Sequence, residues 1–200
     1  MKKGKLLLAT GALLFSVSAL VACSQGGKSS SSGEKVFSYV YTTDPDTLDY
    51  SLSNKQSTSE FTGNAEDGLL EVDQYGNLIS SLAKDWSVSK DGLTYTYKLR
   101  KGVKWVTAEG EEFGEVKAQD FVTGLQHAAD KKSQALYLVQ KSVKGLDDYV
   151  SGKSKDFSTV GVKAIDDYTV EYTLSQPESF WNSKTTMGIL MPVNKEFLDS

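Results

Sequence analysis

Between Leu93 and Leu99 the side chains alternate without a break: Leu93, Tyr95, Tyr97 and Leu99 on one set, Thr94, Thr96 and Lys98 on the other. Successive side chains of a strand point to opposite faces, so this run buries one face and wets the other. A helix would scatter the two sets around its circumference. Trp86-Ser87-Val88 precedes the run across Ser89-Lys90-Asp91-Gly92. Asp91-Gly92 supplies the left-handed backbone that a tight hairpin needs. The chain therefore has to build an antiparallel sheet with one covered face.

The rest of the chain mixes strands and helices irregularly, with no internal repeat. Val36 to Tyr41 reads as a strand rich in aromatic and β-branched residues. Thr43-Asp44-Pro45-Asp46 is a turn set by the fixed φ of Pro45. Ser57 to Leu70 suits a helix, with Phe61, Ala65 and Leu69 on one apolar face. Gln74-Tyr75-Gly76-Asn77 is a turn, and Val103-Lys104-Trp105 starts another strand. The acidic stretch Glu109 to Glu115 reads as a solvated loop, without the spacing of an EF-hand. Helices are predicted over Ala118 to Ala129, with Phe121 and Leu125 inward, and over Gln134 to Val143. Leu146 to Val150 is a short helical turn, and Val160 to Leu174 a hairpin about Asp166-Asp167. The fold class is α/β in the broad sense, a mixed α+β arrangement.

The first 35 residues follow a different rule. Lys2, Lys3 and Lys5 form a basic head, Leu6 to Val21 an apolar run of 16 residues, and Leu20-Val21-Ala22-Cys23 a lipobox. A spanning helix needs about 20 apolar residues. Ala22 offers a peptidase a small side chain, and Cys23 offers a thiol for diacylglycerol transfer. The expected cleavage falls between Ala22 and Cys23, with residues 1–22 a lipoprotein signal peptide. Residues 23–35, with four successive serines and three glycines, form a Ser/Gly-rich tether that cannot bury apolar area. Taking three lysines from a net charge of −4 leaves −7 on the remaining 178 residues. The expected location is the extracellular face of the cell membrane, held there by acyl chains.

Composition excludes several functions. Cys23 is the only cysteine, so no intrachain disulfide forms, and once acylated it leaves no free thiol. With His127 the only histidine, a His/Cys zinc finger lacks ligands. A net negative chain with no basic cluster after its first five residues is a poor nucleic-acid binder. A lipid-anchored hydrolase would need a nucleophile and base, but there is no Gly-x-Ser-x-Gly elbow, His-Glu-x-x-His motif or second histidine. No enzyme activity and no cofactor are expected. His127, near the end of its helix, reads as a surface or interface residue.

Ala83-Lys84-Asp85-Trp86 through Gly102-Val103-Lys104-Trp105 resembles the signature of the family 5 extracellular solute-binding proteins, the oligopeptide- and dipeptide-binding components of ABC importers. Asp44-Pro45-Asp46-Thr47-Leu48-Asp49, Glu66-Asp67-Gly68-Leu69-Leu70, Lys117-Ala118-Gln119-Asp120-Phe121-Val122, Val160 to Val170 and Met191-Pro192-Val193-Asn194 are similar to further family segments. The nearest likeness is to streptococcal oligopeptide-binding lipoproteins. Trp105 is followed by Val106-Thr107-Ala108-Glu109-Gly110, where many relatives carry an Asp-Gly turn.

The resemblance implies a periplasmic-binding-protein-like class II lobe, incomplete, with residues 36–200 as the N-terminal part of the binding domain. Such proteins clamp a peptide between two lobes, and the family's acidic anchor for the peptide amino group falls outside this sequence. Oligopeptides and importer permease subunits are the implied partners, and the membrane is reached through the diacylglycerol. A surface lipoprotein with an adhesin or peptide-signalling role on the same scaffold is the alternative. Peptide capture needs backbone hydrogen-bond partners and tolerant apolar pockets, not a nucleophile. Tyr41, Phe180 and Trp181 are ligand-contact candidates by residue type, and Asn64 and Glu66 by their place at the end of the first helix.

Overall fold

The computed structural model describes residues 38, 40, 41 and 43–200. The leader, Cys23 and the tether lie outside the described residues, as do Val36, Phe37 and Tyr39 of the first expected strand. Ser38, Val40 and Tyr41 are in neither helix nor strand. Tyr41–Ser200 form one unit.

In that unit the helices are α1 (Gln56–Thr62), α2 (Ala118–Asp130), α3 (Leu146–Val150), α4 (Trp181–Lys184) and α5 (Lys195–Asp199). The strands are β1 (Leu70–Val72), β2 (Leu78–Ser80), β3 (Ala83–Val88), β4 (Thr94–Leu99), β5 (Lys104–Val106), β6 (Glu112–Glu115), β7 (Val162–Asp166) and β8 (Thr169–Thr173). The main sheet has the order β3-β4-β8-β7, and β1-β2 and β5-β6 form two small sheets. All pairings are antiparallel.

The hairpin read from the alternation is the spine of the main sheet. Trp86 pairs with Tyr97 and Val88 with Tyr95, and Gly92 holds φ at +71°, a conformation L side chains avoid. On the other side of β4, Tyr95 pairs with Tyr172 and Tyr97 with Val170. Tyr95, Tyr97, Leu99, Val170 and Tyr172 are buried together, while Lys98 between them is exposed. Trp181 seals this aromatic layer, its ring centroid 5.3 Å from Tyr172 and 6.2 Å from Tyr95. The phenols reach polar partners at the rim: Tyr95 donates to the Glu178 carbonyl (2.9 Å) and Tyr97 to Asn182 Oδ1 (2.6 Å). The apolar bodies supply burial, and these two hydroxyls avoid the cost of an unpaired polar atom, whereas the buried Tyr172 hydroxyl and Trp181 indole N–H find no partner among the described residues.

Helix α2 packs against β7 and β8 with Phe121, Leu125 and Ala128 buried, as their spacing predicts. At its start the Asp120 carboxylate reaches back to accept from the Lys117 backbone N–H at 2.9 Å.

Four expectations are corrected. The helix expected over 57–70 stops at Thr62, where Gly63 caps it. Leu69 and Leu70 are instead drawn into backbone pairing, since the Leu69 carbonyl accepts from Ala83 at 2.9 Å. Phe61 and Ala65 are consequently exposed. The helix expected over 134–143 is a single 3-10 turn, Leu136–Leu138, with further turns. Tertiary bonds divert it at its start, where Gln134 donates to the Leu52 carbonyl (2.9 Å) and the Ser133 hydroxyl to that of Ser51 (2.6 Å). The acidic loop is in part a strand: Glu112–Glu115 returns along β5 after a turn through Gly110. The second hairpin turns at Asp167-Tyr168, one residue later than expected. Helix α5 carried no signal strong enough to be read.

Candidate functional site

A cavity of about 570 Å³ opens where the 48–50 segment, the β5-β6 hairpin, the end of α2 and helix α5 meet. Its walls are mainly apolar, built from residues such as Leu48, Trp105, Phe113, Val193 and Phe197. Polarity comes from Asp49, Tyr50, Glu66, Thr107, His127 and Asn194.

Asp49, Tyr50 and His127 are fixed by their neighbours. Asp49 Oδ2 lies 2.9 Å from His127 Nε2, and Oδ1 accepts from the Ser51 hydroxyl (2.6 Å) and backbone N–H (3.1 Å). This pair ties the 43–50 segment to α2. Tyr50 donates to the Pro192 carbonyl at 2.5 Å. Its backbone is set by close packing, because a Cβ on Gly188 would come 2.5 Å from the Tyr50 carbonyl oxygen. Trp105 on β5 donates from Nε1 to Asp120 Oδ2 at 3.0 Å, the oxygen that also caps α2. Trp105→Phe removes one of that oxygen's two donors and is expected to cost about 1 kcal/mol, read from equilibrium urea unfolding.

The electrostatics are lopsided towards negative charge. Burial, and then the Asp67 charge, push the Glu66 carboxyl up to about 7, while the Tyr50 hydroxyl beside it pulls the other way. Burial also raises Asp120. The Tyr50 phenol is held far above its ordinary range by burial and by the charges of Glu66, Asp49 and Asp120. Among the described residues, no lysine or arginine lines the cavity. A second recess of about 300 Å³, with Ser53, Asn54, Thr62 and Tyr137 on its walls, lies across Tyr50 from the first.

Of the residues picked from sequence, Glu66 alone lines the large cavity. Tyr41 stacks on Phe61, ring centroids 4.0 Å apart. Asn64 is exposed and donates to the Glu60 carbonyl of its own helix (2.7 Å). Phe180 is exposed with Lys184 Nζ 5.1 Å from its ring centre. The expectation for Trp181 is corrected: at 0% exposure it is part of the core and presents no surface to a ligand. His127 belongs to the cavity wall. Asp49, Tyr50, Trp105 and Phe113 were not singled out as site residues. Asp49 and Trp105 fall in segments that carry the family resemblance, and that was the available signal.

Apolar walls with a few convergent polar groups are the anatomy of a binding recess. Residues 77–199 match the family described as bacterial extracellular solute-binding proteins, family 5, middle. The chain is 62% identical over its whole length to the oligopeptide-binding protein SarA of Streptococcus gordonii, covering 31% of that protein. It is 64% identical, again over its whole length, to the oligopeptide-binding protein AliA of Streptococcus pneumoniae, covering 30% of it. Among solved structures, peptide-bound OppA of Listeria monocytogenes superposes with a TM-score of 0.69 at 30% identity, over 76% of this chain and 29% of that one. The chain belongs to the family 5 bacterial extracellular solute-binding proteins, and it spans about 30% of the length of the curated relatives it matches.

Proposed function

We propose that these residues serve as the N-terminal portion of a lipid-anchored receptor that captures oligopeptides outside the cytoplasmic membrane and passes them to the permease subunits of an ABC importer. Residues 1–22 are the leader, 23–35 the tether bearing acylated Cys23, and 36–200 the start of the binding domain. The observation that carries this reading is the full-length likeness to proteins named as oligopeptide-binding. The two recesses beside Tyr50 agree with it, because they offer apolar contact area and a few polar groups on an open face. A ligand resting on such a face stays wet on its other side.

Titration of the isotopically labelled chain with a mixed oligopeptide library tests the proposal by amide chemical shifts. Shifts confined to recess residues are expected, with affinity weaker than micromolar, since one wall desolvates only part of the ligand. An absence of shifts at millimolar peptide would overturn it.

A further inference from the structure

We infer that the large cavity is a subsite for a positively charged group on a hydrocarbon stem, with Glu66 as its anchor; this rests on the peptide-binding reading above. Glu66 is half-buried on the cavity wall and, among the described residues, has no basic partner within ion-pair distance. Of the neighbouring acid groups, Asp49 and Asp120 have partners of their own, while Asp67 is exposed to solvent. Asp49 is held by His127 and Ser51, and Asp120 by Trp105 and the start of α2. Lys104, which lines a small recess with Glu66 and Asp67, is directed to Glu112 at 3.5 Å. The ionisable groups around Glu66 are therefore Tyr50, Asp67, Asp49 with His127, Asp120, and a lysine already paired.

A half-buried carboxylate without a counter-charge is destabilised as an anion. A ligand ammonium or guanidinium would restore the missing charge, and Trp105 and Tyr50 offer aromatic rings beside it. Leu48, Val106, Phe113 and Phe197 would cover the methylene stem. Among the described residues, an acidic ligand finds no lysine or arginine on this wall, and the His127 ring is taken up by Asp49. The subsite thus favours a lysine- or arginine-like side chain over its apolar or acidic counterpart.

The sign of the pH effect follows from Glu66. Its carboxyl is pushed up to about 7, so the anchor is mostly neutral at pH 6 and mostly charged at pH 8. An alkylammonium keeps its charge throughout, so its binding strengthens as pH rises. The test uses the full chain with n-hexylammonium, n-hexanol and n-hexanoate, reading the indole N–H signal of Trp105. Hexylammonium is expected to bind about tenfold more tightly than hexanol at pH 8, and about equally at pH 6. Glu66→Gln should erase the tenfold preference while hexanol binding persists, which separates loss of the anchor from loss of the cavity. Equal binding of hexylammonium and hexanol at pH 8, or a preference unchanged in Glu66→Gln, would overturn the inference. Failure of the peptide reading shows differently, as an absence of peptide-induced shifts whatever the preference among these three probes.

Discussion

Cys23→Ala is expected to empty the membrane fraction of this protein and to abolish its labelling by palmitate. The argument is one of buried methylenes. Each contributes about 0.8 kcal/mol, and stable attachment takes two chains, because a single acyl chain binds only marginally and reversibly. The proposed diacylglycerol on Cys23 would supply both chains at once. Its loss leaves the leader, whose apolar run of 16 residues falls short of the about 20 a span requires. The polar tether behind it offers no apolar surface to take over. Fractionation after ultracentrifugation, with immunodetection of both fractions, reads the partition, and the label reads the acylation directly. Retention at the wild-type level together with undiminished label would rule out Cys23 as the attachment point.

What could be read from the chain depended on whether local pattern and tertiary demand agreed. They agree along β4, where Tyr95 and Tyr97 are buried and Lys98 is exposed, and along α2, whose inward face is the predicted one. They disagree over 57–70. Phe61, Ala65 and Leu69 have helical spacing, yet Leu69 and Leu70 are claimed by pairing with residues 80–83, which no window of local sequence reveals. Over 134–143 the apolar spacing fits a helix equally well, and the competing bonds come from Ser51 and Leu52, more than 80 residues away in the chain. The cavity is the extreme case. Asp49 and His127 are 78 residues apart in sequence, and Tyr50 meets Pro192 across 142. Glu66 came within reach through its place near the end of the expected first helix, although that helix stops at Thr62. Trp181 misled because an aromatic suited to a pocket wall is equally suited to a core, and only burial separates the two.

Lys184→Met is expected to cost about 3–5 kcal/mol of stability, whereas Glu178→Leu combined with Lys184→Met should cost far less. Lys184 Nζ lies 2.8 Å from Glu178 Oε2 and 2.7 Å from the Ser142 hydroxyl, with side-chain exposures of 14% for the lysine and 7% for the glutamate. At that depth solvent does little to stabilise either charge, so the pair holds because each neutralises the other. Removing the lysine strands a carboxylate whose backbone carbonyl also receives the Tyr95 hydroxyl and the Trp181 amide. The penalty therefore falls on the segment that seats Trp181 over the aromatic layer. Replacing both partners removes the stranded charge and leaves a site that apolar side chains of similar size can fill. A Tm lowered by about 10 °C in the single variant, and mostly recovered in the double, is the expected signature for a domain of this size. If the two variants melt alike, the cost comes from the ammonium's lost contacts with the Ser142 hydroxyl and the Phe180 ring rather than from the unpaired charge.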